Sequence, residues 1–297
     1  MKDLLATNLF TSVSSDIMEV AEKISAADKV ILIAPADIEG AVALSQLEAS
    51  LLDQSKNYQR KLLPPWKHND GTEDEKTKDF EGLVIEIQPF FESQSMFEID
   101  GNRINIFPLS VEINLSKSKR DHHGAIECVA LCAAIAHNLS PDGVRVRKQR
   151  PLAISGSWLR GAFDTNYDPV YSLLRDHLKE EGSLDIRPMP EVANPLTDMI
   201  PNFPERMFKR LVKSWSSMNF QERGSAVSEL VLPSLRSDEL PTMLIEELMW
   251  HRLVIPGAEM DLASQLYKVR KEWPSDIDSA KLHAGRVIDS IISSGSI

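Results

Sequence analysis

Apolar residues at Ile17, Val20, Ala21 and Ile24 follow the three-and-four spacing of a helix that buries one face, which predicts a helix over residues 14–26. The pattern then changes to the unbroken run Val30-Ile31-Leu32-Ile33-Ala34, the composition of a strand buried on both faces. After a short turn, residues 41–52 are rich in Ala and Leu and predict a second helix. Residues 58–79 hold few apolar positions and predict a surface excursion, with a short strand near Leu62-Leu63. Leu83-Val84-Ile85-Glu86-Ile87 predicts the next strand, and the segments either side of Asp100-Gly101 predict a hairpin. Val111 to Asn114 reads as extended, residues 125–138 as an apolar helix stopped by Ser140-Pro141-Asp142-Gly143, and residues 152–156 as a further strand. Strands alternating with helices predict an α/β fold, a mostly parallel sheet covered by helices.

Beyond Asp168 the strand-like runs give way to helical periodicity. Helices are predicted over residues 169–179, 205–215, 221–232, 241–251, 260–272 and 276–292, with a proline-rich stretch over 186–204. A domain change is therefore expected near residue 190: an α/β domain over 1–190 and a smaller helical region over 191–297.

Charge and composition narrow the classes. Of 297 residues, 42% are hydrophobic and 26% charged, as in ordinary folded proteins. No apolar run approaches the roughly 18 residues needed to cross a bilayer, and the start of the chain lacks the features of a secretory signal. A soluble, cytoplasmic protein without a membrane partner is expected. The formal net charge of −11 argues against free-standing affinity for nucleic acid, which requires a basic surface to neutralise phosphates. Cys128 and Cys132 stand four apart in a helical pattern with no second Cys/His pair nearby, so they read as buried small hydrophobes in a reducing compartment.

The informative feature is the strand Val30 to Ala34 running into Pro35-Ala36-Asp37-Ile38-Glu39-Gly40 and then a helix. In open α/β sheets ligands gather beyond the carboxyl ends of the strands, so Asp37 and Glu39 are candidate site residues. No phosphate-binding loop of the Gly-x-x-x-x-Gly-Lys-Ser/Thr type is present, and Ser157 lacks the Gly-x-Ser-x-Gly surroundings of a hydrolase nucleophile.

This arrangement resembles the first motif of the DHH-family phosphoesterases, which reads His-x-Asp-x-Asp-Gly after a hydrophobic strand. The likeness continues in order along the chain. Leu83 to Glu86 resembles the strand ending in a ligand Asp, and residues 101–109 the strand leading into Asp-His-His. Asn114 follows, then Asp121-His122-His123-Gly124 and Glu127 resemble the next segment of archaeal RecJ-like proteins. Residues 152–160 resemble the strand and turn that end in Gly-Asp, and Asn166 fits the same register. In that family Asp and His side chains hold two divalent cations, usually manganese. Such a pair activates water and stabilises the leaving oxygen.

The departures set the functional expectation. Pro35 stands in place of His, Glu39 and Glu86 in place of Asp, and Phe107-Pro108-Leu109 in place of Asp-His-His. Arg160, a permanent cation, replaces the final Asp. The remnant positions are therefore Asp37, Glu39, Glu86, Phe107 and Arg160, with no bound metal expected. Arg160 reads either as an exposed turn residue or as a guanidinium that replaces the cations among Asp37, Glu39 and Glu86. The literal Asp121-His122-His123 reads as solvated, or as capping a helix that begins at Ala125. Its alternative is to supply the missing ligands.

The resemblance implies a non-catalytic RecJ-like protein, ending without the family's DHH-associated domain. It further implies a DNA-replication scaffold that binds GINS, and possibly the MCM ring, in a helicase assembly, with any contact to single-stranded nucleic acid weak or indirect. The alternative it implies is a manganese-dependent single-strand exonuclease or small-nucleotide phosphoesterase. The basic run Arg145 to Arg150 reads as a solvated turn or as a contact for an acidic partner, and Trp215, Trp250 and Trp273 as helix-packing residues.

Overall fold

The computed structural model describes residues 3–68, 80–114, 121–162, 168–237 and 239–297, with the side chains of Asn114 and Asp121 left aside. Asn166 and the polar stretch of 69–79 lie outside the described residues. The chain is an α/β protein built on a five-stranded sheet of order β2-β1-β3-β5-β4. Its strands are β1 (Lys29–Pro35), β2 (Asn57–Leu63), β3 (Leu83–Ile87), β4 (Glu98–Asp100) and β5 (Arg103–Ile106). β2, β1, β3 and β5 run parallel, and β4 closes the edge antiparallel to β5 through the Asp100-Gly101 turn. Gly101 has φ 54° there, a left-handed conformation that glycine adopts without a Cβ penalty.

Alternation along the strands sorts the side chains onto two faces. Val30, Leu32, Ala34, Ile85, Ile104 and Ile106 belong to the large core, whereas Ile31, Ile33, Leu63 and Val84 form a small cluster on the second face with Phe80 against it. Helices α1 (Ser14–Ala26), α2 (Ile38–Asp53) and α3 (Cys128–Leu139) contribute buried residues to the large core. α2 and α3 are buried nearly all round, which accounts for their lack of a polar stripe.

Four expectations are corrected. The surface excursion contains a full edge strand, β2, whose half-exposed polar positions hid it from a reading based on apolar runs. Residues 152–156 are not a strand. A 3-10 helix (Arg150–Ile154) leads into the short α5 (Ser155–Leu159), preceded by α4 (Val144–Gln149). Pro151 sits in the first turn of that 3-10 helix, where its missing N–H costs nothing, and a short apolar run buried among helices carries no period to tell it from a strand. The basic run Arg145 to Arg150 is accordingly helical rather than a turn, and Arg150 is only 1% exposed, its guanidinium held by Glu181 at 2.8 Å.

Asp121-His122-His123, finally, is neither loop nor helix cap. It lies on β7 (Asp121–Ile126), which pairs antiparallel with β6 (Leu109–Asn114), and α3 starts only at Cys128 with Glu127 as its N-cap residue.

The remaining helices follow their predicted spans: α6 (Pro169–Glu180), α7 (Glu205–Ser214), α8 (Phe220–Leu235), α9 (Thr242–Trp250), α10 (Leu262–Glu272) and α11 (Ile277–Ser294). A short ribbon joins β8 (Asp185–Arg187) to β9 (Arg252–Val254). A second apolar cluster forms around Met189, Phe208, Trp215, Leu230 and Leu248. Ala280, Ala284, Ile288 and Ile291 of α11 instead join the large core, so residues from both sides of position 190 share it. Among the described residues no helix is long and apolar enough to cross a membrane.

Candidate functional site

β1 is hydrogen-bonded to β2 on one side and to β3 on the other, so the chain reverses its direction of travel across the sheet at β1. Such a switch point leaves a crevice beyond the carboxyl end of the strand. Asp37 and Glu39 stand there, Asp37 as the N-cap residue of α2 and Glu39 in its first turn. The turn between β1 and α2 is tight: a Cβ on Gly40 would come within 2.4 Å of the Pro35 carbonyl oxygen. The N-terminus of α3 packs beside α2 and brings Glu127, while α5 ends at Arg160 from a third direction.

These side chains are electrostatically coupled. Glu39 is 3% exposed, and its Oε1 meets no hydrogen-bond donor. Burial pushes its carboxyl well above the usual range, Glu127 adds to the shift, Arg160 opposes it and Asp37 adds again. Glu127 is pushed up to about 7, chiefly by burial, with Arg160 working against the shift and Asp168 for it. The Arg160 guanidinium lies 4.0 Å from Glu127 Oε2 and 5.7 Å from the Phe90 ring centroid. Asp37 Oδ2 accepts the Trp66 backbone N–H at 2.7 Å, yet burial still raises its carboxyl, with His68 and Lys67 pulling it back. Cys128 is buried beside this group, and burial pushes its thiol far up, so it behaves as a small apolar side chain with a weak contact to the Ile106 carbonyl at 3.5 Å.

The crevice opens into a cleft of about 800 Å³ between the strand ends and the C-terminal helices. Asp37, Glu39 and Arg160 line it together with the apolar Trp158, Leu244, Leu266 and Trp273. Trp273 Nε1 donates to the Ala36 carbonyl at 3.0 Å, which ties that wall residue to the turn after β1.

Of the positions anticipated from sequence, Asp37, Glu39 and Arg160 are brought together. Glu86 is not. It projects on the second face of the sheet with Val84, where Arg103 pairs with it and Gln88 Nε2 donates to its Oε1 at 3.0 Å. Phe107 follows β5 and is buried in the large core. His123 is on the β6–β7 hairpin with its side chain 76% exposed, 3.8 Å from Glu112, and His122 lies beside it on the same strand. Glu127 entered the sequence reading only within the segment that resembles RecJ-like proteins and was not among the site positions; its local signal is a carboxylate immediately ahead of an apolar helical run.

A two-cation centre needs several oxygen or imidazole donors converging on shared ions. Here one Asp37 oxygen is taken by a backbone N–H, Glu86 is committed to Arg103, and a guanidinium stands beside Glu39 and Glu127. Among the described residues no group of three or more His, Cys, Asp or Glu side chains is placed to hold a metal ion. These residues do not fit a cation pair. They can hold a polar head group, offering hydrogen-bond acceptors on one side and a guanidinium on the other. No family model matches the chain, and no curated protein matches it either.

Proposed function

We propose that this chain is a non-catalytic RecJ-like protein of the archaeal kind, a DNA-replication scaffold that binds GINS within a replicative helicase assembly. In this reading it works in the cytoplasm, contacts the MCM ring through that assembly, and carries no manganese. One observation supports the non-catalytic half: Arg160 stands 4.0 Å from Glu127 and beside Glu39, where its fixed charge offsets carboxylates that would otherwise repel one another. A guanidinium there supplies the charge of a cation without its ability to polarise water. The net charge of −11 agrees, because a protein-binding scaffold has no need of a phosphate-neutralising surface. The partner half rests on the ordered resemblance of residues 28–190 to the DHH family, and on nothing else.

Two measurements test the two halves separately. The tagged full chain, purified from its own cells, is expected to bring GINS with it, and recovery of no replication protein would remove the partner half. Labelled single-stranded DNA and RNA incubated with the protein and Mn²⁺ are expected to stay intact. Cleavage that disappears in Asp37→Ala would overturn the non-catalytic half.

A further inference from the structure

The cleft at the end of β1 has a feature that a pure scaffold does not require. Glu39 lines it, is 3% exposed, and presents an Oε1 with no donor. A buried carboxyl oxygen with no donor has lost water and gained no partner, so the site is incomplete as it stands. The charged groups of the lining have both signs: Asp37 and Glu39 against Lys67, Arg160 and Arg270. Asp37 is the N-cap residue of α2, Glu39 stands in its first turn, and Arg160 approaches from the end of α5. Most of the other lining residues are apolar, Trp158 and Leu244 among them.

We propose that this cleft binds a free α-amino acid with an apolar side chain. Its ammonium donates to Asp37 and the Glu39 carboxyl, its carboxylate accepts from the Arg160 guanidinium, and its side chain lies against Trp158 and Leu244. Single-charge ligands fit worse. A phosphate or simple carboxylate placed at Arg160 would face Asp37 and Glu39, and a simple amine placed at Glu39 would face Arg160. A zwitterion meets both charges at once, with an arginine fork suited to a carboxylate. The cleft, at about 800 Å³, falls in the usual range for small-molecule sites and leaves room for an aromatic side chain.

The test is calorimetric titration of the full chain with L-phenylalanine, beside phenethylamine and 3-phenylpropionate. These two keep the ring but each lacks one of the charges. Saturable binding of phenylalanine is expected, with both analogues weaker by about tenfold or more, the effect of losing one charge-assisted hydrogen bond. Glu39→Gln and Arg160→Met are each expected to weaken phenylalanine by a similar factor. Leu244→Trp, which adds bulk at an apolar lining position, is expected to abolish binding. The inference is overturned if phenylalanine, leucine and tryptophan all fail to bind, if either analogue binds as well as phenylalanine, or if the charge variants leave its affinity unchanged. The analogue comparison needs no variant, so it decides even where a substitution unfolds the protein. None of these outcomes bears on GINS, so this inference and the scaffold reading fail separately.

Discussion

Glu127 shows how one buried carboxyl converts position into stability. Its carboxyl is pushed up to about 7 in the fold, against 4.5 for the free side chain, chiefly by burial. The folded state therefore holds a proton that the unfolded chain releases. The stabilisation is complete below pH 4.5, declines as pH rises towards 7, and is gone above it. A shift of that size corresponds to roughly 3 kcal/mol at most. Glu127→Gln removes the ionisation, so its unfolding free energy is expected to vary less across this window than that of the parent protein. Urea denaturation at pH 5 and pH 8 measures the difference, and equal slopes in the two proteins would show that Glu127 does not carry it. Arg160 moderates the same group from 4.0 Å away, which ties the stability of the turn to the chemistry of the cleft.

At the scale of an element, the β1–turn–α2 unit depends on a close approach that only one residue type allows. The helix starts so near the strand that a Cβ at position 40 would meet the Pro35 carbonyl oxygen at 2.4 Å. Backbone cannot yield as a long side chain can. Gly40→Ala is expected to cost about 1–3 kcal/mol, the range for overpacking a well-filled interior, and to shift Asp37 and Glu39 as α2 moves. Chemical denaturation reads the first effect, and a wild-type midpoint would contradict the geometry. Gly156 is constrained in a similar way: a Cβ there would stand 2.8 Å from Glu127 Cβ, so α5 can deliver Arg160 to the site only because that position lacks a side chain. Both glycines were visible in the sequence. The approach that requires them was visible at Gly40 alone, through its tight turn, whereas residues 152–156 looked like a strand because a short buried apolar run has no readable period.

For the whole molecule, the last helix is tied to the edge of the sheet. Arg60 on β2 donates to Glu48 Oε2 from Nε at 2.8 Å and to Asp289 Oδ1 from a terminal nitrogen at 2.7 Å, joining β2, α2 and α11. Tyr58 adds its hydroxyl to Glu48 at 2.6 Å. The two ion pairs differ in environment: the Glu48 side chain is 4% exposed and that of Asp289 70%. Removing Asp289 is expected to cost under about 1 kcal/mol, as for exposed pairs. Arg60→Met strands Glu48 in the interior and is expected to cost about 3 kcal/mol or more. A urea series comparing Asp289→Ala with Arg60→Met checks the ordering, and equal losses would refute it.

The pattern of apolar positions determined the element types over most of the chain, because period two or three-and-four records which faces are buried. It gave α1 to the residue, placed β1, β3 and the β4–β5 hairpin, and anticipated the six helices from α6 to α11. It also marked Asp37 and Glu39, because a strand, an acidic turn and a helix in sequence place carboxylates at a strand end. Tertiary structure decided the rest. Which face of the sheet Glu86 occupies depends on the alternation of β3 relative to the core, and this turned a supposed partner of Asp37 into the partner of Arg103. The company of Glu39 depends on two helix starts and the end of a third meeting in space, and no local spacing encodes that meeting. The return of α11 to the first core is equally non-local, since its amphipathic face states that a partner exists without saying which.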